Sequence, residues 1–312
     1  MKIFRKLKIP KKYKGHVIAI GNFDGIHMGH QKVFNFAKKF AKKNKIKFGV
    51  LTFNPLPSMF FNKKLINYRL TSEKQKILFF KKYGVNFIIN IKFNKKFSMI
   101  SAKNFLENII YKKIEPKFIF VSNNFKFGNK RKGDVKMLKK FSKKYKFKLN
   151  KISPLKFGKN VVSSTKIRKF LWSGKIDSAN KFLSRTWFID GLVKKGRGVG
   201  RKLGYRTCNI DIKNYIIPQA GIYSVKVFID QEKKVYNGIS YIGTRPTFGG
   251  KKIFLETYIF NFKKNLYQKI LKVYFFKFLR GDKKFKKQEN LIQQMNKDVI
   301  LAKKSLKTKL SI

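Results

Sequence analysis

Residues 16–30 read "HVIAIGNFDGIHMGH". The chain has three histidines in 312 residues, and two of them, His27 and His30, close this stretch. The apolar run 16–21 reads as a short buried strand, the turn Asn22–Gly25 ends it, and a helix is expected to begin near His27. Such a strand–turn–helix unit gathers unpaired backbone N–H groups and the positive end of a helix dipole at one point, which favours an anion there. His27 and His30 are three residues apart and share one face of the first helical turn. Gly29 between them leaves room for a ligand to approach the backbone. Two imidazoles in that position can donate hydrogen bonds to an α-phosphate as charge builds on its oxygens, which suits nucleotidyl transfer. As a zinc site the pair is poor, because no Cys or third His lies near it.

Working outward, the apolar runs at 47–53 ("KFGVLTF"), 85–91 ("VNFIINI") and 117–122 ("KFIFVS") read as further buried strands. Between the strands, "HQKVFNFAKKFAKKN" and "SAKNFLENIIYKKI" place apolar residues at helical spacing. Alternating strands and helices predict a parallel sheet with right-handed crossovers, a Rossmann-like α/β domain. The character changes near residues 180–190. "GIYSVKVFID", "KVYNGISYIG", "KIFLETYIFNF" and "KVYFFKFL" alternate apolar and polar residues and are joined by Gly, Asn and Pro turns. That pattern predicts a small antiparallel β-barrel. "ENLIQQMNKDVILAKKSL" is expected to be a C-terminal helix packed on its outside. The expected domains are residues 1–183 and 184–312, in line with about 100–200 residues per domain.

Composition narrows the function classes. The chain has 76 basic and 14 acidic residues, a formal charge of +62. Only ten of the basic residues are arginines and the lysines run along the whole chain, whereas a nucleic-acid surface more often gathers Arg into a patch. No nucleic-acid partner is expected. The charge should still speed encounters with anionic small molecules such as nucleoside triphosphates. One cysteine, Cys208, excludes an internal disulfide and fits a reducing compartment. No run reaches the roughly 18 apolar residues that span a bilayer, and the basic N-terminus lacks a signal-peptide core, so a cytoplasmic protein without a membrane partner is expected. The sequence does not fix the oligomeric state.

"GNFDGIHMGH" resembles the HxGH signature of nucleotidyltransferases, in the form found in prokaryotic bifunctional riboflavin kinase/FAD synthetases. "VVSSTKIRKFL" (161–171) is similar to that family's second signature, "SSTxIR". On its own, "SST" also reads as an N-cap before a helix. The resemblance implies that His27 and His30 are catalytic, and that Gly21, Phe23, Asp24 and Gly25 bind ATP. It also implies that Ser163, Ser164, Thr165 and Arg168, with Lys166, grip the phosphates that leave as pyrophosphate. "VSNNFKFG" (121–128) resembles the family's element near the flavin, which implicates Asn124 and Phe125. Departures occur in "FNPLP" (53–57), where Asn54 and Leu56 replace an acid and a histidine, and at Ser122, where Gly is usual. Asn54 and Leu56 motivate an alternative reading, a riboflavin kinase whose adenylyltransferase domain is degenerate.

A second constellation, "GRGVGRKLGYRTCN" (196–209), is a weak signal as a Gly-rich loop and is not a Walker A motif. It is similar to the riboflavin kinase signature "GxxxGRxLGxPTAN", with Arg206 where Pro is usual and Cys208 where Ala is usual. The resemblance implies that Gly200, Arg201 and Gly204 wrap ATP phosphates. It further implies that the hard oxygens of Thr207 and Asn209 hold Mg²⁺. Glu256 lies within the aromatic strand "FLETYIF". From the strand alone it reads as an outward residue pairing with lysines; the resemblance makes it the catalytic base that takes the ribityl 5′-hydroxyl proton. Arg280 corresponds to an arginine near the flavin or nucleotide. The activity thus implied uses ATP and Mg²⁺ to convert riboflavin to FMN in the second domain. The first domain then adenylylates FMN to FAD.

Overall fold

The computed structural model describes residues 1–195, 204–212, 215–247 and 250–307. Two compact units emerge: Met1–Ile66 with Glu73–Val162, and Asn67–Ser72 with Ser163–Ile312.

The first unit is built on a six-stranded, all-parallel sheet. Its spatial order is Lys2–Phe4, Phe87–Lys92, Phe48–Asn54, Val17–Ile20, Phe118–Ser122 and Lys148–Ile152. The central strand pairs Val17 with Phe48 on one side and with Phe118 on the other. All four of its residues are buried, as expected of a strand covered on both faces. The four strands expected from sequence are present, each within a residue or two of its predicted limits. The two outermost strands were not anticipated. "KIF" is too short to show a pattern, and "KLNKI" is a polar, half-exposed edge strand.

Helix Met28–Lys43 buries Val33, Phe34, Ala37 and Ala41 along one stripe and leaves its lysines to solvent. The stretch 101–114 is capped by Ser101 and continues as a π-helix over Phe105–Ile114, burying Phe105, Leu106, Ile109, Ile110 and Ile114. Chain order and spatial order part company beside the central strand. From Val17–Ile20 the chain builds outward through Phe48–Asn54 and Phe87–Lys92, then crosses to Phe118–Ser122 on the other side. The carboxyl ends of Val17–Ile20 and Phe118–Ser122 therefore flank the topological switch point, where open α/β sheets bind ligands.

The second unit is a closed six-stranded antiparallel barrel. Around the barrel the order is Phe188–Lys194, Thr207–Ile210, Gly250–Ile259, Lys234–Thr247, Gly221–Ile229 and Ile270–Arg280. Alternation fills the interior with Tyr223, Val225, Val227, Leu255 and Ile259. Helix Gln288–Ser305 lies on the outside, seating Ala302 and, just past its end, Leu306 against Phe260, with Ile239, Tyr258, Phe276 and Leu279 around them. Helices Ser164–Trp172 and Ile176–Leu183 belong to this unit: Asn180 donates to the Phe275 carbonyl and accepts from the Trp187 amide.

One packing contact tests the sheet. A Cβ on Gly49 would sit 2.3 Å from the fully buried Phe87 ring on the neighbouring strand. Gly49→Ala should therefore destabilise the first unit by about 1–3 kcal/mol through overpacking. A lower midpoint in denaturant unfolding, read from this unit's signal, is the expected result.

Candidate functional site

The loop between the central strand and the first helix is tightly determined. Gly21 donates to the Leu51 carbonyl and so prolongs the pairing one residue beyond Ile20. Phe23 (φ 49°) and Ile26 (φ 39°) occupy the left-handed region, which a bulky side chain adopts only when its surroundings hold it there. The Phe23 ring is wedged against Phe34 at 4.8 Å and meets His30 edge-on at 5.2 Å. Asp24 is 3% exposed.

His27 is the N-cap of the helix: its Nδ1 accepts from the His30 amide at 3.4 Å. In the neutral ring that bond leaves the proton on Nε2, which makes Nε2 the donor. The two imidazoles stack at 3.6 Å with 20° between their planes. Gly29 makes this possible, because a Cβ there would lie 3.2 Å from the His27 ring. The predicted residues Gly21, Phe23, Asp24, Gly25, His27 and His30 thus form one constellation at the switch point.

Sequence reasoning missed Lys76. It is 4% exposed, and its ammonium donates at 3.0 Å to both the Asn22 carbonyl and Thr52 Oγ1. It ties helix Glu73–Lys82 to the loop that follows the central strand. One turn earlier, Glu73 accepts from Asn54 at 2.7 Å and from Asn90 and Arg5 at 2.9 Å. Asn54 therefore works as a structural bridge, and Leu56 is buried at the start of the short helix Pro57–Phe61.

Across the switch point, Asn124 Oδ1 accepts from Ser122 Oγ at 2.8 Å, and the Phe125 ring stacks on Phe127 at 5.5 Å. Ser163 caps its helix by accepting from the Lys166 amide at 3.2 Å, as the local reading of "SST" allows. Ser164 and Thr165 form the first turn. Arg168 is 4% exposed; its Nε donates to the Tyr68 carbonyl at 2.9 Å and its guanidinium lies 3.8 Å over the Tyr68 ring. Ser163, Ser164, Thr165 and Arg168 group with the second unit.

On the barrel, register and alternation assemble the second constellation. Asn209 lies opposite Glu256, and Tyr241 lies opposite Glu256 from the other side. Thr207, two residues from Asn209, shares its face. Its hydroxyl donates to Glu256 Oε1 at 2.6 Å. The strand puts Cys208 on the opposite face, with its thiol against the Thr257 carbonyl at 3.4 Å. Hydroxyl, amide and carboxylate oxygens gathered there suit a hard divalent cation. Tyr241 was not singled out from the sequence.

Gly204 has φ +82° with open space around its Cα, so the turn before Thr207 uses glycine's freedom. Gly200 and Arg201 lie outside the described residues. Arg280 faces a partner the sequence did not reveal. Its Nε and one terminal nitrogen grip Asp298, the shortest contact being 2.6 Å, and the other terminal nitrogen donates to the Gly281 carbonyl. Asp298 is 2% exposed and also accepts from Gln294. Two of the five guanidinium donors remain beyond those bonds among the described residues.

Comparison with known proteins matches both halves. A family described as FAD synthetase fits residues 9–166, and one described as riboflavin kinase fits residues 183–306. A bifunctional riboflavin kinase/FMN adenylyltransferase of Buchnera aphidicola subsp. Schizaphis graminum is 39% identical, over 97% of this chain and 98% of its own. The Escherichia coli K12 protein of the same description is 30% identical, over 93% and 92%. That of Bacillus subtilis 168 is 32% identical, over 90% of each. Among solved structures, one described as a macrolide-efflux protein from Streptococcus pneumoniae aligns with a TM-score of 0.84 and 26% identity, over 96% of this chain and 99% of that one.

The face opposite the site makes one chemical prediction independent of substrate. Burial, with the Glu256 carboxylate nearby, pushes the Cys208 thiol up to about 12. A raised value keeps the thiol protonated, so at pH 8 only about one molecule in ten thousand is thiolate. Native protein should resist iodoacetamide at pH 8 and react promptly once unfolded. Stoichiometric labelling of the native chain within minutes would contradict the placement of Cys208.

Proposed function

Since the chain belongs to the bifunctional riboflavin kinase/FMN adenylyltransferase family, we propose that its two constellations carry out successive steps of FAD synthesis. The barrel domain phosphorylates riboflavin to FMN with ATP, and the nucleotidyltransferase domain converts FMN and a second ATP to FAD and pyrophosphate. The functional division falls between residues 183 and 184. What carries this reading is one observation: a histidine pair at a helix start and a Thr–Asn–Glu oxygen cluster on a barrel face occur in the same chain.

In the kinase step Glu256 is the general base. Its carboxylate takes the proton of the ribityl 5′-hydroxyl as that oxygen attacks the γ-phosphorus; the new O–P bond forms while the β–γ bridge breaks and ADP leaves. The Thr207 hydroxyl, bonded to Oε1, orients the carboxylate. Thr207 and Asn209 are the residues that would hold Mg²⁺, which offsets charge on the β- and γ-phosphates when bound. Backbone amides of the Gly200–Gly204 segment, with Arg201, take the phosphate chain. Arg280, braced by Asp298, offers its remaining donors to the flavin.

In the adenylyl step the FMN phosphate attacks the α-phosphorus of ATP, and the α–β bridge breaks to release pyrophosphate. His27, through Nε2–H, and His30 donate to the α-phosphate oxygens as charge concentrates on them. The helix start and the Gly21–Gly25 backbone bind the nucleotide, while Ser163, Ser164, Thr165 and Arg168 take the departing phosphates. Asn124 and Phe125 receive the flavin. Neither step needs a covalent enzyme intermediate; orientation and aimed donors supply the acceleration.

No helix among the described residues is long and apolar enough to cross a membrane. With ATP as donor in both steps and a single, half-buried thiol, the cytoplasm is the compartment that fits. The dispersed lysines serve small anionic substrates rather than nucleic acid.

Product analysis after mixing the protein with riboflavin, ATP and Mg²⁺ tests the reading, with FAD as the expected end point. Glu256→Gln should lower FMN formation by about a hundredfold or more and leave FMN-to-FAD conversion at its normal rate. Equal loss of both activities would break the proposed division of labour.

The reverse experiment uses the other half. His27→Ala and His30→Ala should each cut FAD formation from FMN by about a hundredfold, with riboflavin phosphorylation unchanged. Wild-type FAD synthesis in both variants would remove the histidines from the mechanism.

A further inference from the structure

Strand register carries the barrel constellation beyond Glu256. Asn209 pairs with Glu256, Glu256 with Tyr241, Tyr241 with Ile222, and Ile222 with Arg280. Residues directly opposite on neighbouring strands share a face, so one row crosses five strands of the barrel. It lies on the outer face, because Tyr223 and Leu255, the chain neighbours of Ile222 and Glu256, fill the interior. All five residues of the row are half-buried.

The row is the floor of a groove. Along one side runs helix Gln288–Ser305, seated by Ala302 among Ile239 and Tyr258. These lie two residues from Tyr241 and Glu256 on their strands and share their face. On the other side lies the Tyr241 ring, turned along its own strand: a Cβ on Gly243 would collide with the phenol, so this glycine makes room for it. At the end of the row Arg280 is clamped to Asp298 of the helix at 2.6 Å, joining floor to wall.

The spacing of the row sets a length. Neighbouring strands lie about 4.8 Å apart, so Ile222 is two steps, roughly 10 Å, from Glu256, and Arg280 is a third step on. A ribityl chain has six bonds from ring nitrogen to terminal oxygen, and at about 1.2 Å of advance per bond it reaches roughly 7 Å. A hydrogen bond of about 2.8 Å to the carboxylate makes up the difference. With the 5′-hydroxyl at Glu256, the flavin ring begins over Ile222 and has Arg280 beside it.

On the reading of Glu256 as the kinase base, we propose that this row is the track for the flavin acceptor, with Tyr241 flanking the ribityl chain and Ile222 beneath the start of the ring. Tyr241 and Ile222 are binding residues that neither take nor give a proton. Their loss therefore belongs in KM for riboflavin and leaves the nucleotide alone. The track also selects chain length: a flavin with a side chain one carbon shorter cannot lie over Ile222 and present its terminal hydroxyl to Glu256.

In the full chain, Ile222→Ala and Tyr241→Ala should each raise KM for riboflavin by about threefold to tenfold, the scale of a few partly buried methylene groups, with kcat and KM for MgATP within about twofold. FMN adenylylation by the same preparations should be unchanged. The wild-type protein should phosphorylate the shortened flavin at least about tenfold less efficiently than riboflavin, yet be inhibited by it competitively. An unaltered KM for riboflavin, a rise in KM for MgATP instead, an equal fall in adenylylation, or equal use of the shortened flavin would each overturn the track. Glu256→Gln separates the two failures: an unaltered KM for riboflavin in both variants alongside loss of FMN synthesis in Glu256→Gln sinks the track alone. FMN synthesis unaffected by Glu256→Gln sinks the site reading beneath it.

Discussion

Parallel strands cannot be joined by tight hairpins, and that constraint organises the first half of the molecule. Every strand of the sheet must end at the same edge, so the chain leaving Ile20 and the chain leaving Ser122 emerge side by side at the switch point. Nothing else is needed to bring the histidine turn and the Asn124–Phe125 turn to a common edge. The cost falls on the short loop from Gly21 to His27, where two bulky residues take left-handed backbone angles. Packing of Phe23 against Phe34 and the grip of Lys76 on the Asn22 carbonyl offset that strain. The site is stiff because its backbone is held from beneath by the sheet and from the side by helix Glu73–Lys82.

The barrel solves the same problem with the opposite geometry. Its site has no helix terminus; it uses the two-residue period of a strand. Thr207 and Asn209 fall on one face and Cys208 on the other, and antiparallel register places Glu256 against Asn209. A slip of one residue would turn both oxygen-bearing side chains away and present the thiol instead. Closure of the barrel guards against that slip, because no strand is left at a free edge.

These two geometries explain what the sequence could and could not disclose. The His27–His30 pair, the cap at Ser163 and the alternation around Glu256 are local patterns, legible over a handful of residues. The alternation of strands and helices was enough for the sheet, and the later change of period was enough for the barrel. Lys76 was invisible because its partners, Asn22 and Thr52, lie 54 and 24 residues away. Among so many lysines, a buried one carries no compositional mark. Tyr241 and the Arg280–Asp298 pairing were hidden in the same way: one gains meaning only from register, the other only from the final helix that carries Asp298. Helices Ser164–Trp172 and Ile176–Leu183 read as a continuation of the first pattern, yet their polar anchors are barrel atoms such as the Phe275 carbonyl. Periodicity shows which face of a helix is apolar and says nothing of what covers it.

The scarcity of acids gives the few that are buried unusual weight. With 14 carboxylates against 76 cations, most surface pairs, such as Lys264 with Glu232, are exposed and contribute little. Asp298 is different: withdrawn from water and bonded to Arg280 and Gln294, it is costly to leave without its partner. The surplus positive charge draws nucleotides toward the protein, but salt screens it over about 8 Å, so it cannot tell an α-phosphate from a γ-phosphate. That distinction has to be made at contact range. On the proposed reading it falls in one half to two stacked imidazoles, of which His27 is oriented by the His30 amide, and in the other to Glu256, oriented by the Thr207 hydroxyl. On that reading the charge brings the substrates in, and these two hydrogen-bonded arrangements decide which bond is broken.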